Sequence, residues 1–146
     1  MELNGEAVTK IVRMSDLKPK IGKRIEVWAQ SVYDGDTFTG IYKNEALGAY
    51  MEYKFRLARI DAAELRKKPN TSETEEQKMD RLSKAIPAKV KLIEYISNQK
   101  VHVTVTGIDK YSRAICEVEM KLTGGSDNYS NISSLLLEQK LVAPYP

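Results

Sequence analysis

The chain has 146 residues, 42% hydrophobic and 29% charged, which is enough apolar material for one domain with its own core and excludes a disordered polar chain. Its 23 basic and 20 acidic residues leave a formal net charge of +3, compatible with a nucleic-acid partner but too small to require one. A single cysteine excludes an intrachain disulfide and a cysteine-built zinc site, and no run approaches the roughly 20 apolar residues of a membrane span.

Residues 1–22 read as an N-terminal extension, with 23–146 as the domain proper. Val8, Ile11 and Val12 have helical spacing, while Leu17-Lys18-Pro19 and Ile21-Gly22 have loop chemistry. Packing on the domain and self-association are both open roles for this segment. The first thirty residues hold no continuous apolar stretch, so no uncleaved signal peptide is expected, which favours an intracellular location over a secreted one.

From Arg24 to Tyr33 the chain alternates through Ile25, Val27 and Ala29, predicting a strand, and Asp34-Gly35 supplies turn chemistry. A second strand is expected from Phe38 to Tyr42, a turn over 44–48, and a third strand from Tyr50 to Ile60. Ser72-x-x-Glu75 fits a helix-capping box, and Glu73, Glu75 and Glu76 suit the positive end of a helix dipole. Pro87 is expected to break or restart that helix. Beyond it Ala88, Leu92, Ile93 and Ile96 form an apolar face ending near Asn98.

Val101, Val103 and Val105 alternate with polar partners in a fourth strand, and 107–111 read as a turn. A fifth strand is expected over Arg113–Leu122, with Cys116 as an inert core thiol, then a break at Gly124-Gly125 and a last helix over Ile132–Leu141. Three strands, a helix, two strands and a helix make an α+β, mainly β chain. This is the plan of a five-stranded OB-fold Greek-key barrel.

The polar residues that stand out lie at strand ends and turns. They are Asp34-Gly35-Asp36-Thr37, the run from Phe55-Arg56-Leu57 through Asp61-Ala62-Ala63-Glu64, and Asp109-Lys110-Tyr111-Ser112-Arg113. Cleaving a phosphodiester gathers negative charge on the equatorial oxygens, which the planar fork of arginine matches with paired hydrogen bonds. Carboxylates can hold a hard divalent ion, and a further carboxylate can position or deprotonate water. Asp36 and Asp61 are the candidate metal pair, Arg56 and Arg113 the phosphate clamp, and Glu64 the water-handling group. His102, the one histidine, falls on the polar side of its strand and disfavours histidine-based hydrolysis.

Together these segments resemble the staphylococcal nuclease (thermonuclease) family over roughly residues 24–145, in the family's motif order. The resemblance implies calcium-dependent, largely sequence-nonspecific cleavage of DNA and RNA at the 5′-oxygen, leaving 3′-phosphates. It implies that Asp36, Asp61 and the Ala62 carbonyl ligate Ca2+, that Asp34 sits close to the ion, and that Arg56, Arg113 and Glu64 act on the phosphate and water. Oxygen ligands would also accept Mg2+ or Mn2+. Lys110 and Tyr111 would touch a neighbouring phosphate, Tyr145 would border the nucleotide, and the Arg66-Lys67-Lys68 loop offers salt-dependent backbone contacts. Of the chain's other tyrosines, Tyr33, Tyr42 and Tyr53 are expected to be packing residues.

The chain departs from the family at Ala62-Ala63, where threonine-proline or alanine-proline is usual, and at Ser112, where glycine is common. The alternative is a noncatalytic nucleic-acid- or protein-binding module of the same fold, against which the retention of all five charged residues argues. Strict strand alternation would put Arg56 and Asp61 on opposite faces, so a bulge or bend is predicted near Ala58–Ile60.

Overall fold

The computed structural model describes residues 1–13, 17–121 and 128–146. The predicted strand end at Leu122 and the break at Gly124-Gly125 lie outside the described residues. In chain order the elements are β1 (Glu2–Leu3), β2 (Glu6–Ala7), β3 (Ile11–Val12), β4 (Arg24–Asp34), β5 (Thr37–Asn44), β6 (Ala49–Leu57) and β7 (Ile60–Asp61). They continue as α1 (Glu75–Ile96), β8 (Gln99–Ile108), β9 (Ala114–Lys121), β10 (Tyr129–Asn131), α2 (Ile132–Glu138) and β11 (Ala143–Pro144).

Alternation builds the barrel. Val101, Val103 and Val105 of β8 and Ala114, Cys116 and Val118 of β9 turn inward and are fully buried, with His102, Thr104, Ile115 and Glu117 between them on the outer face. Strands β4, β5, β6, β9 and β8 pair in a ring, antiparallel except where β6 and β9 run parallel and close it. Closure leaves the five ring strands without a free edge between them, and β3 and β10 add on outside, beside β6 and β9. The result is the expected five-stranded OB-type barrel, mainly β, with one helix between its third and fourth ring strands and another after its fifth.

Phe38 and Phe55 stack at 5.3 Å inside the barrel, and Tyr42 and Tyr53 meet Phe55 edge-on. Such aromatic pairs contribute about 0.5–1.5 kcal/mol each beyond their buried area. Tyr42 and Tyr53 are therefore packing residues as expected, whereas Tyr33 is 58% exposed and packs little. Leu92 and Ile96 of α1 and Ile132 and Leu136 of α2 join the same core.

The helix α1 differs from its sequence reading in two ways. Its cap is Thr74, not Ser72: the Thr74 side chain accepts from the Gln77 N–H, and the Gln77 side chain accepts from the Thr74 N–H. The box lies two residues later than expected, with glutamine in place of glutamate. The second difference is that the helix passes through Pro87 without a break. Proline removes one amide donor and crowds the preceding turn, a cost of about 3 kcal/mol. Here the ring is exposed, where water can serve the orphaned carbonyl, and burial of Ala85, Ala88, Leu92 and Ile96 holds the helix on the barrel.

The N-terminal segment is strand, not helix. Asn4 and Gly5 both adopt left-handed conformations (φ 55° and 76°), the requirement of a two-residue hairpin turn, and join β1 to β2. Leu3 is fully buried with Ile41 and Tyr50, and β3 pairs parallel with β6. The periodicity of Val8, Ile11 and Val12 was too short to separate helix from strand. At the other end α2 stops at Glu138, where residues to Leu141 were expected, and β11 then pairs with β7.

Candidate active site

The site forms where three chain segments meet at one end of the closing seam. The turn between β4 and β5 brings Asp34 and Asp36, which are 7% and 5% exposed. Asp34 accepts the Asp36 N–H at 3.0 Å, fixing the turn. Gly35 does not need a left-handed conformation here. A Cβ added to it would lie 2.7 Å from Ala88 Cβ and 2.8 Å from Ala62 Cβ, so glycine is required for close packing under α1.

The predicted bend exists. β6 ends at Leu57, Ala58-Arg59 turn with Arg59 at φ 68°, and β7 resumes at Ile60. This brings Arg56 and Asp61 onto one side. Arg56 Nη2 lies 3.5 Å from Asp36 Oδ2 and 3.4 Å from Asp61 Oδ1, while Nη1 approaches the carbonyls of Leu57 and Ile60, each at 3.4 Å. The bend itself is held by Arg59, whose guanidinium takes both carboxylate oxygens of Glu117 at 2.8 and 2.9 Å and also reaches Asn131 and Ser134. Ser133 Oγ donates to the Ala58 carbonyl at 2.8 Å from below.

Asp36 is short of positive charge. Burial and the adjoining Asp34 push its carboxyl up to about 6, against the pull of the Ala62 N–H at 2.9 Å and of Arg56. The Thr37 hydroxyl donates to its other oxygen at 3.1 Å. Ala62 thus stands at the site through its amide, bonded to the same carboxylate.

Arg113, one residue before β9, pairs through Nε with Asp109 Oδ2 at 2.7 Å. Burial raises the Asp109 carboxyl, but bonds from Arg113 and the Tyr111 N–H outweigh it and hold it below the ordinary carboxylate range. Ser112, at the position where glycine is common in the resembled family, sits at φ 63°, in the left-handed region. Tyr111 is 68% exposed, with its ring 5.3 Å from the Arg113 guanidinium and 5.2 Å from Lys110 Nζ. Tyr145 covers Arg56 at 5.3 Å, fixed by its own N–H to the Arg59 carbonyl.

Glu64 is exposed, and none of the described contacts joins its carboxylate to Arg56, Asp36 or Asp61. Its backbone is nonetheless anchored, because Arg81 of α1 donates to the carbonyls of Glu64 (2.9 Å) and Leu65 (2.6 Å) and pairs with Glu73. The sequence reading missed Arg81, as it also missed Asp109 as the partner of Arg113. Beside Asp61 and Ala62 a cavity of about 540 Å3 opens toward Lys84 and Lys140. Arg66, Lys67 and Lys68 are exposed on a separate loop, where Lys67 caps the Thr71 carbonyl. His102 is half-buried edge-on against Tyr129 on β8, and burial and Arg24 push its pKa down.

Among the described residues no group of three or more His, Cys, Asp or Glu side chains stands close enough to hold a metal ion by itself. The donors present are nonetheless hard oxygens, two of them buried carboxylates with too little positive charge between them, which is the chemistry a divalent cation relieves.

No family model matches this chain, and no curated protein does. Among solved structures, one similar to it is the extended Tudor domain TD3 of mouse TDRD1, determined with a MILI peptide containing dimethylarginine. The match has a TM-score of 0.57 at 11% sequence identity and covers 88% of this chain and 97% of that one. At that identity the likeness establishes the architecture alone: a closed five-stranded barrel with helices, the fold read from the sequence.

Proposed function

We propose that this chain is a metal-dependent nuclease of the staphylococcal nuclease kind, cleaving DNA and RNA with little regard to sequence. The observation that supports this most is the meeting of Asp36, Arg56 and Asp61, from two chain segments and across a bend, around one guanidinium group. Asp36 and Asp61, with the Ala62 carbonyl, would hold calcium, and Asp34 would add negative charge beside it. When bound, the ion would supply charge neutralisation at a phosphoryl oxygen and an oriented water.

The chain's own residues would do the rest. Arg56 offers paired N–H groups to a phosphate at the cost of two long contacts to carboxylates, which a cation at Asp36 and Asp61 would replace. Arg113 is turned by Asp109 and stacked near Tyr111, so it would meet the phosphate from the other side of the seam. Glu64, carried on a backbone fixed by Arg81, would hold or deprotonate the attacking water, and the 5′-oxygen would leave.

A second reading is a noncatalytic binding module. It is favoured by the structural neighbour, which is named for a bound dimethylarginine peptide, and by the exposed Glu64 carboxylate, which none of the described contacts joins to the other four charged groups. The presence of all five charged residues, Asp36, Arg56, Asp61, Glu64 and Arg113, in the motif order of the resembled family is what supports the enzyme over it.

One experiment separates the two. Plasmid DNA and RNA are incubated with the protein and with its Arg56→Ala variant in calcium, magnesium or chelator. Calcium-stimulated cleavage that depends on Arg56 and leaves 3′-phosphates supports the nuclease. Binding of oligonucleotide or peptide without cleavage in any metal supports the module and overturns the enzyme.

A further inference from the structure

The outward face of β6 carries a row of polar side chains, Glu52, Lys54 and Arg56, at every second residue. Arg56 ends the row at the site. Lys54 stands one strand repeat away, about 7 Å, comparable with the phosphate-to-phosphate step of an extended single strand. β3 pairs parallel with β6 through Val12 and Met51, which sets Arg13 beside this row, 3.6 Å from Glu52. A cavity of about 420 Å3 lies between these residues and the Asp109–Arg113 turn, with Arg13, Lys54, Tyr53, Tyr111 and Ser112 in its walls. Tyr53 Oη donates to the Ser112 carbonyl at 2.7 Å and so ties the turn to the cavity floor. Tyr111 is common to this cavity and to the site, because its ring also lies against Arg113.

We propose that this cavity is a subsite for the nucleotide next to the scissile one, with a base against Tyr111 and a phosphate held by Arg13 and Lys54. The N-terminal segment would then be part of the substrate track, with Arg13, the residue after β3, supplying one of its two cations. The proposal rests on the nuclease reading and extends the same track. The physical case is the chemistry of the walls: an exposed aromatic face suits base stacking, and two cations in register with Arg56 suit successive phosphates. The one carboxylate present, Glu52, is half-buried and answers Arg13, so it orients that guanidinium, while Lys54 is exposed in the cavity wall.

The test is equilibrium binding of a fluorescent single-stranded 12-mer in chelator, so that no cleavage occurs, over a series of salt concentrations. The Arg13→Ala and Lys54→Ala variants should each bind about two- to fivefold more weakly, as loss of one exposed charge contact implies. Each should also lower the log–log salt slope by about 0.7, the value for one phosphate contact on a single strand. Arg13→Lys should restore the slope. The side chain of Arg13 is 75% exposed, so its replacement leaves the core intact. If the parent protein binds and cleaves while both alanine variants keep its slope, the subsite is wrong and the nuclease reading stands. If the parent binds an acidic peptide but no oligonucleotide, both readings fall.

Discussion

Replacing Asp36 with asparagine should make the metal-free protein more stable at pH 8 while abolishing its response to calcium. The carboxyl is raised from its ordinary value of 3.8 to about 6 by burial and by Asp34. A raised acid binds more protons folded than unfolded, so its contribution is fully present below about pH 4 and is lost as pH rises through 6. Above that, ionised Asp36 costs the fold on the order of 3 kcal/mol. Asparagine cannot ionise, and its amide oxygen can still accept the Ala62 N–H that Asp36 takes at 2.9 Å. Lost is the acceptor that faces the Thr37 hydroxyl at 3.1 Å, about 1 kcal/mol; the pull of Arg56 is already contained in the raised value. The expected net gain in chelator at pH 8 is therefore about 2 kcal/mol, shrinking to nothing or reversing near pH 4. Calcium at about 100 times its dissociation constant should add roughly 2.7 kcal/mol to the parent and nothing to the variant. Urea midpoints at the two pH values, with and without calcium, measure all of this. A variant less stable than the parent at pH 8 in chelator, or a difference independent of pH, would refute the charge-deficit argument.

Arg56→Ala and Arg113→Ala should each slow cleavage by about 10²–10³-fold, the usual loss for one transition-state donor, and near-normal turnover in steady-state assays of either would dismiss the clamp. Gly35→Ala should destabilise by about 1–3 kcal/mol in urea unfolding, because the new methyl collides with Ala88 and Ala62. Ser112→Gly should raise stability by about 0.5–1 kcal/mol, since glycine removes the left-handed penalty at φ 63°; a drop in melting temperature would contradict the strain.

The barrel was legible because its strands alternate cleanly and its interruptions carry turn chemistry. The bend at Ala58-Arg59 was legible for a stricter reason: two residues needed at one place were separated by an odd number of positions. What misled was local. Asn4-Gly5 is a strong hairpin signal, yet the short apolar triad beyond it drew a helical reading. Pro87 should stop a helix by propensity, but tertiary burial of the face beneath it prevails. Gly35 reads as turn glycine, and the reason for it is a contact with a helix more than fifty residues away, which no window of sequence contains. The same holds for Arg81 under Glu64 and for Asp109 beside Arg113: partners set by packing leave no periodic trace.

The parallel pairing of β6 with β9 joins Phe55 to Ala114 and Arg56 to Ile115, so Arg56 and Arg113 both lie at the pairing that closes the ring. Neither arginine has the other beside it until β6 and β9 have met. A chain that has formed its β4–β5–β6 meander but not docked β9 would own both acids and half a clamp. On the proposed nuclease reading, recovery of cleavage during refolding should therefore track amide protection at Ala58, whose N–H bonds the Cys116 carbonyl across that junction, and lag behind protection of the meander.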